Sequence, residues 1–221
     1  MAEDEDPIIL NFNDSLLRKS DVSLLEGPYW LNDNIIGFCL EYFEKEKFSH
    51  SVDRLCLMNP AFVQLIKLSR VEELSILLES LYLPVKQFVF LPVNDNPRDA
   101  AGGSHWSLLV YVRSKQEFRH YDSSGNTNSA MAKNLAYKLQ PFVHAPLGRM
   151  QFIEMDCPQQ QNGYDCGLFV IAITEYLCKN FCECVSIPLH EVVNSATVAR
   201  KRQAIKELIA AVERDQHLSK S

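Results

Sequence analysis

The sequence predicts an α+β domain, with a mixed central sheet flanked by helices. Three observations lead there. Helical spacing of apolar residues dominates the first third of the chain, dense aromatic and β-branched runs follow between residues 86 and 121, and strongly apolar helical runs return toward the C-terminus.

In chain order, IILNF at 8–12 reads as a short strand, and 15–25 as helix or loop. Residues 30–43, WLNDNIIGFCLEYF, place Ile35, Ile36, Cys39, Leu40 and Phe43 on one helix face, with Asn32 or Asp33 as N-cap. Residues 59–81 read as two short helices, with Pro60 in the first turn of the first. The period then changes. KQFVFLPV and SHWSLLVYVR have the apolar density of strands buried on both faces, and FRHYDSS reads as a third strand. Between the first two lies NDNPRDAAGG, residues 94–103, which is longer than a simple hairpin requires. Such a loop is either a disordered connector or a functional element. Residues 128–142 read as a helix, MQFIEM as a further strand and 166–181 as a strongly apolar helix. A last amphipathic helix carries Ile205, Leu208, Ile209 and Val212 on one face, with core packing the expected use of that face.

With 221 residues, 47% of them hydrophobic, the chain is large enough for a substantial core. No internal repeat, low-complexity tract or Gly/Ser linker divides it. The expected organisation is one domain over 1–221, of which 1–6 is an acidic, disordered stretch. A net charge of -6 and a pI near 5.5 give no basis for a nucleic-acid partner, which needs clustered cations. Arg200, Lys201 and Arg202 are accordingly expected on a solvated helix face.

The start MAEDEDPIIL lacks a basic n-region and a signal-length apolar run, and no stretch approaches the roughly eighteen apolar residues of a membrane span. Neither secretion nor a membrane partner is expected. Seven cysteines suit a reducing compartment, so the expected location is cytoplasmic or nuclear. Cys178, Cys182, Cys184 and His190 offer a zinc reading, but the cysteine spacing departs from paired knuckles and Cys178 lies in an apolar helical run.

The stretch that speaks to chemistry is PQQQNGYDCGLFVIAITEYL, where a polar turn meets an apolar helix at Cys166. A thiol there faces unpaired backbone N–H groups and the positive end of the helix dipole, which favours the thiolate. Gly167 permits close approach of a substrate backbone, and local amides offer part of an oxyanion hole. The same cysteine also fits a small buried residue at a helix start, and this stretch alone leaves both readings open.

A thiol nucleophile needs a base, and the base an orienting acceptor. Of the six histidines, His105 opens a strand directly after Gly102 and Gly103, where its ring can project from a sheet edge beside Trp106; His120 can fall on either face of its strand. Asp122 ends the next strand. If 104–112 and 117–121 pair as a hairpin, Asp122 returns beside His105; otherwise it initiates the turn at Ser123 and Ser124. Gln160, six residues before Cys166, supplies an amide donor for an oxyanion, although Gln159 and Gln161 offer the same chemistry. A histidine, an aspartate and a cysteine at converging element ends make one site.

These residues resemble the Ulp-type, or sentrin-specific, family of cysteine proteases over most of the chain. The motifs are WLND at 30–33, HW at 105–106, the aspartate of HYDS at 122 and QQNGYDCG ending in Cys166 and Gly167. The order His, Asp, Gln, Cys differs from papain itself, where cysteine comes first. The resemblance implies a papain-like α+β fold of the Ulp type, with His105, Asp122, Cys166 and the oxyanion glutamine Gln160 as the catalytic set. It implies cleavage after the C-terminal diglycine of a ubiquitin-like modifier, with no metal or organic cofactor. Trp30 and Trp106 would wall a channel that admits only glycines, and Asn32, Asp33 and Asn94 would hold the extended tail. The short chain and the loop before His105 resemble deneddylating members, so the implied partners are the neddylation modifier and its conjugates, such as cullins. A SUMO-directed protease and a silent ubiquitin-like-binding module are the alternatives.

Overall fold

The computed structural model describes residues 6–100, 102–143, 151–183 and 187–218. The stretch 1–5 of the acidic start lies outside them, while Asp6 accepts hydrogen bonds from the Ser20 backbone N–H at 2.9 Å and its hydroxyl at 2.6 Å.

β1 (Ile8–Phe12) pairs antiparallel with β2 (Ser15–Arg18), followed by the single-turn α1 (Lys19–Ser23). The segment read as helix or loop is thus part strand. Ser15 and Leu17 face inward while Leu16 and Arg18 face out, an alternation only four residues long. α2 (Asp33–Tyr42) begins where expected, because the Asn32 side chain accepts from Ile35 N–H at 3.1 Å and closes the first turn. Ile35, Ile36, Cys39, Leu40 and Phe43 are all buried, as their spacing requires.

β3 (Leu55–Leu57) was not apparent in the sequence, being three residues long. α3 (Pro60–Leu68), capped by Asn59 with Pro60 in its first turn, and α4 (Val71–Leu78) are the two expected short helices. β4 (Phe88–Asn94), β5 (Trp106–Val112) and β6 (Glu117–Tyr121) form the antiparallel centre of the sheet. After α5 (Ser129–Leu139), β7 (Gln151–Glu154) pairs parallel with β6, and β3 pairs parallel with β4. Among the described residues the order is β3-β4-β5-β6-β7, a mixed sheet as predicted. β3 reaches only as far as Phe90, so Pro92 faces a strand on its β5 side alone and its missing N–H breaks no ladder.

The sheet is buried on both faces. Phe88, Phe90, Leu108 and Val110 pack with α2 and with α6 (Cys166–Glu183), whereas Val89, Leu91, Leu109 and Tyr111 pack with residues of α3, α4 and α5. After the short α7 (Leu189–Val192), α8 (Ser195–Leu218) lays Val198, Ile205 and Ile209 into the first of these cores, with Leu208 and Val212 partly buried against it. Core packing is therefore what this last helix does. Among the described residues no helix is long and apolar enough to cross a membrane.

Candidate active site

The β5–β6 hairpin has the register the sequence suggested. Leu108 pairs with Tyr121, so the next residue, Asp122, arrives opposite Ser107 and diagonal to His105 on the same face. Its carboxylate is wholly buried, and Oδ1 receives His105 Nε2 at 2.6 Å. Oδ1 also accepts from Ser124 N–H and Oδ2 from Asn128 N–H, each at 2.9 Å. Asp122 therefore does both things its sequence context allowed, making the turn and orienting the imidazole. Burial alone would raise its pKa; the bonds from His105 and Asn128 outweigh it and hold the carboxyl below its usual range.

The same opposition acts on His105. Burial disfavours its charged form, but hydrogen bonds to Asp122 and Cys166, with the charge on Asp122, raise its pKa to about 9. With Nε2 held by Asp122, Nδ1 is the nitrogen left for the thiol. The backbone of His105 is fixed as well: Asp95 Oδ1 accepts from His105 N–H at 3.1 Å and Ser104 N–H at 2.7 Å, while Oδ2 takes the Ser104 hydroxyl at 2.6 Å. Burial alone would raise the Asp95 pKa; the Ser104 and His105 hydrogen bonds outweigh it and lower it. Asp95 was not singled out from sequence, where it is one of several turn formers in its loop.

Cys166 is the first residue of α6 and only 1% exposed. The turn before it is organised by Asn162, whose Oδ1 accepts from Tyr164 N–H and Asp165 N–H at 3.1 and 3.0 Å and whose Nδ2 donates to Asp165 Oδ2 at 2.8 Å. The helix ladder starts with Phe169 N–H on Asp165 O, so the amides of 166–168 stand before it, at the positive end of the dipole. Gly167 also meets a packing demand. A Cβ there would meet Leu31 Cβ at 3.1 Å and Ile36 Cδ1 at 3.2 Å, so its bareness serves the packing of α6 against α2 and the residue before its cap.

The three glutamines separate. Gln159 donates to the carbonyls of Asp122 and Cys157 and accepts from Gly125 N–H, which makes it a strut for the turn after β6. Gln161 is exposed. Gln160 is half-buried; its Oε1 accepts from Ser123 at 2.8 Å and its Nε2 donates to Asn162 O at 2.6 Å. An amide nitrogen carries two hydrogens, so this leaves a second N–H to offer.

A cavity of about 910 Å³ is lined by His105, and Trp30, Asn32, Asp33, Asn94 and Trp106 all line it too. Trp30 is 54% exposed and donates its indole N–H to Gly163 O; Trp106, 9% exposed, donates to Leu31 O at 3.0 Å while its ring joins the core. Asp33 is exposed, whereas the Asn32 amide is engaged inside the fold as the cap of α2 and as a donor to Asp21 at 2.6 Å. The Asn94 side chain accepts from Asn96 N–H at 2.8 Å, and Lys67 Nζ donates to the Asn94 carbonyl at 2.5 Å. Burial lowers the Lys67 pKa to about 8, against the opposing pull of Asp95.

His120 falls on the Asp122 face of its strand, fully buried, between Glu154 Oε2 at 2.6 Å and Ser107 Oγ at 2.9 Å. This serine, histidine and acid share the residue types of a hydrolytic triad, but no substrate reaches them, and they tie β5, β6 and β7 together. Among the described residues no group of His, Cys, Asp and Glu could hold a metal ion. Cys178 is buried in the core, His190 pairs with Asp156 at 3.1 Å, and Cys184 lies outside the described residues.

The basic run requires a correction. Lys201 pairs with Glu175, and the Arg202 side chain is only 13% exposed, with its guanidinium donating to Leu24 O, Tyr29 O and Asp165. These two face the protein. Arg202 follows Val198 by four residues and precedes Ile205 by three, which puts it on the buried stripe of α8.

Residues 29–211 match the family described as the Ulp1 protease family, C-terminal catalytic domain. The chain is 46% identical to sentrin-specific protease 8 of Homo sapiens over 208 residues, covering 94% of this chain and 98% of that protein. It is 39% identical to NEDD8-specific protease 1 of Arabidopsis thaliana over 181 residues, covering 80% of this chain and 78% of that protein. Among solved structures, the yeast Ulp1 protease domain in complex with Smt3, the yeast SUMO orthologue, superposes with a TM-score of 0.76 at 26% identity, covering 96% of this chain and 90% of that one.

Proposed function

The chain belongs to the Ulp1 protease family, and from that membership we infer that it is a cysteine peptidase acting on the ubiquitin-like modifier NEDD8. The observation that carries the chemistry is the placement of His105. One ring nitrogen is bound to a buried carboxylate and the other is left for a thiol at a helix N-terminus, and His105 lines a cavity with two tryptophans in its wall.

In this reading His105 takes the Cys166 proton, and the thiolate attacks the carbonyl of the modifier's last glycine. The C=O π pair moves onto oxygen, where one N–H of Gln160 and the amides at the start of α6 stabilise it. Collapse of this intermediate expels the amine of the following residue or of a target lysine, which takes the proton from His105. Water then attacks the thioester, giving its proton to His105 and releasing the modifier carboxylate and the thiol. An imidazole that keeps its proton up to about pH 9 suits both the counter-ion of a thiolate and the acid for a leaving amine. Asp122 holds the ring through the whole sequence.

Trp30 and Trp106 wall the channel for the diglycine, and Asp33 and Asn94 lie along the cavity that takes the extended tail before it. Asn32 supports that path by capping α2. Both precursor maturation and removal from conjugates, cullins among them, follow from one cut after the diglycine. The whole chain acts as one catalytic domain in the cytoplasm or nucleus.

Labelling by electrophilic probes made from full-length NEDD8, SUMO and ubiquitin tests this directly. NEDD8 should label Cys166 fastest, and Cys166→Ala should abolish labelling and turnover while still binding the modifier. Faster labelling by SUMO would move the chain to the SUMO-directed reading, SUMO being the modifier bound in the superposed yeast Ulp1 structure. No labelling by any probe would leave a binding module.

A further inference from the structure

We propose that Arg202, on the C-terminal helix and outside the catalytic set, is a positioning residue for the reaction, clamping the segment before α2, which lines the cavity at Leu24 and Trp30, to the turn that carries Cys166. The inference rests on the cysteine-protease reading above. Its guanidinium reaches two separate stretches of chain. Toward the segment before α2, Nη1 donates to Leu24 O at 2.6 Å and Nη2 to Tyr29 O at 3.0 Å, the second being the carbonyl directly before Trp30. Toward the nucleophile, Nη2 donates to Asp165 Oδ1 at 3.0 Å, one residue before Cys166, and the group stands over the Tyr164 ring.

The Asp165 end continues inward. Its other oxygen is held by Asn162 Nδ2 at 2.8 Å, and the Asn162 carbonyl is the acceptor of Gln160 Nε2 at 2.6 Å. One line of hydrogen bonds thus runs from Arg202 through Asp165 and Asn162 to the oxyanion glutamine. The segment before α2 closes onto the same turn directly as well, because Trp30 donates its indole N–H to Gly163 O. A guanidinium suits this place because its planar fork directs several bonds at once, whereas a lysine ammonium offers a single point charge on a flexible stem. Arg202 lies outside the cavity lining, so its effect must pass through the groups it holds.

The test is steady-state kinetics on a fluorogenic NEDD8 C-terminal amide, with melting measured in parallel, for wild type, Arg202→Met, Arg202→Lys and Asp165→Asn. Ile209→Val and Ile209→Ala, on the same buried stripe of α8 but two turns beyond Arg202, serve as stability controls. Misplacing catalytic groups by a fraction of an ångström is expected to lower kcat in Arg202→Met by about tenfold to a hundredfold, with KM changing less than threefold. Arg202→Lys should recover only part of that loss. Arg202→Met combined with Asp165→Asn should be no slower than the slower single variant, since both cut one line. An unchanged kcat in Arg202→Met, a loss equalled by an Ile209 variant of the same melting temperature, or multiplicative losses in the double variant would overturn the clamp. If wild type itself fails to cleave the reporter, the protease reading falls; if wild type cleaves and Arg202→Met equals it, only the clamp falls.

Discussion

Asp122 Oδ1 accepts both His105 Nε2, at 2.6 Å, and the backbone N–H of Ser124, at 2.9 Å, so one oxygen orients the base and fixes the turn that carries it. With Oδ2 taken by Asn128 N–H, the carboxylate uses both oxygens inside the protein. An asparagine has only one acceptor oxygen. Asp122→Asn should therefore slow catalysis by about three to four orders of magnitude through the wrong imidazole tautomer, and should also cost about 1–3 kcal/mol of stability by leaving a buried N–H unpaired. Single-turnover rates and urea midpoints measure the two effects separately. Near-normal rates would pass the orienting role to another group.

The pH dependence follows from the same contacts. His105 has a folded pKa of about 9 against an ordinary 6.5, so the stability it contributes is fully present below about pH 6.5 and lost as pH rises through 9. Asp122 has a lowered folded pKa, so its contribution is present above 3.8 and lost as pH falls through the folded value. The alkaline limb of kcat/KM should lie near pH 9 in wild type and move to lower pH in Asp122→Asn, because removal of the carboxylate removes what raises His105. An alkaline limb at the same pH in both proteins would assign it to a different group.

Gln160→Ala should reduce the chemical rate by about a hundredfold, the loss usual for one oxyanion donor, with little change in modifier affinity. Gln159→Ala should behave differently. Its three bonds brace the turn after β6, so its defect should appear in the melting temperature before it appears in the single-turnover rate. The reverse ranking would put the oxyanion donor at Gln159.

The sequence made the site legible because its parts sit at element ends that leave local marks. Asn32 and the Ile35–Phe43 spacing announce α2, the continuous burial of β5 appears as WSLLVYV, and hairpin pairing brings Asp122 back to His105. β3 and β2 escaped because three or four residues carry too short a pattern, and the parallel pairing of β7 with β6 depends on a crossover that no local signal encodes. Arg202 was misread for another reason. Charge composition suggested a solvated face, yet positions 198, 202, 205 and 209 share one helical stripe, and Arg202 replaces an apolar residue on it. That spacing was the available signal. The roles of Asp95 and Asp165 were not legible at all, since their partners are backbone amides and a side chain distant in sequence.

The loop before His105 is closely packed at its root. Gly103 has φ +93°, and a Cβ there would stand 1.9 Å from Asn94 Oδ1 and 2.8 Å from Asp95 Oδ1, the oxygen that holds the His105 N–H. Gly103→Ala should therefore cost about 2 kcal/mol locally and displace His105, lowering kcat/KM by more than tenfold with only a modest fall in melting temperature. Unaltered kcat/KM in Gly103→Ala would show that the loop root does not set the base.

Beyond its root the loop is held by bonds within itself, from Asn96 N–H to Asn94 Oδ1, Arg98 N–H to Asn96 Oδ1 and Asn96 Nδ2 to Ala100 O, and by α3. Asp95 fixes the root through Ser104 and His105, while residues 96–98 are fastened to α3 by Gln64, whose Nε2 donates to the carbonyls of Asn96 at 3.2 Å and Arg98 at 3.0 Å. Gln64 and the loop line the same cavity, so a modifier tail lying there meets these carbonyls and the tether together. We predict that hydrogen exchange at the amides of Asp99 and Ala100 is fast in the free protein and slows at least tenfold in a non-cleavable NEDD8 complex, while the amides of Ser104 and His105 are protected in both. Ordering that segment costs conformational entropy, which contacts with the correct modifier must offset, so closure adds selectivity at the expense of affinity. Gln64→Ala should loosen the free loop and raise KM several-fold with kcat little changed. Equal exchange with and without NEDD8, together with a normal KM in Gln64→Ala, would make this stretch a connector and leave selectivity to the rest of the cavity.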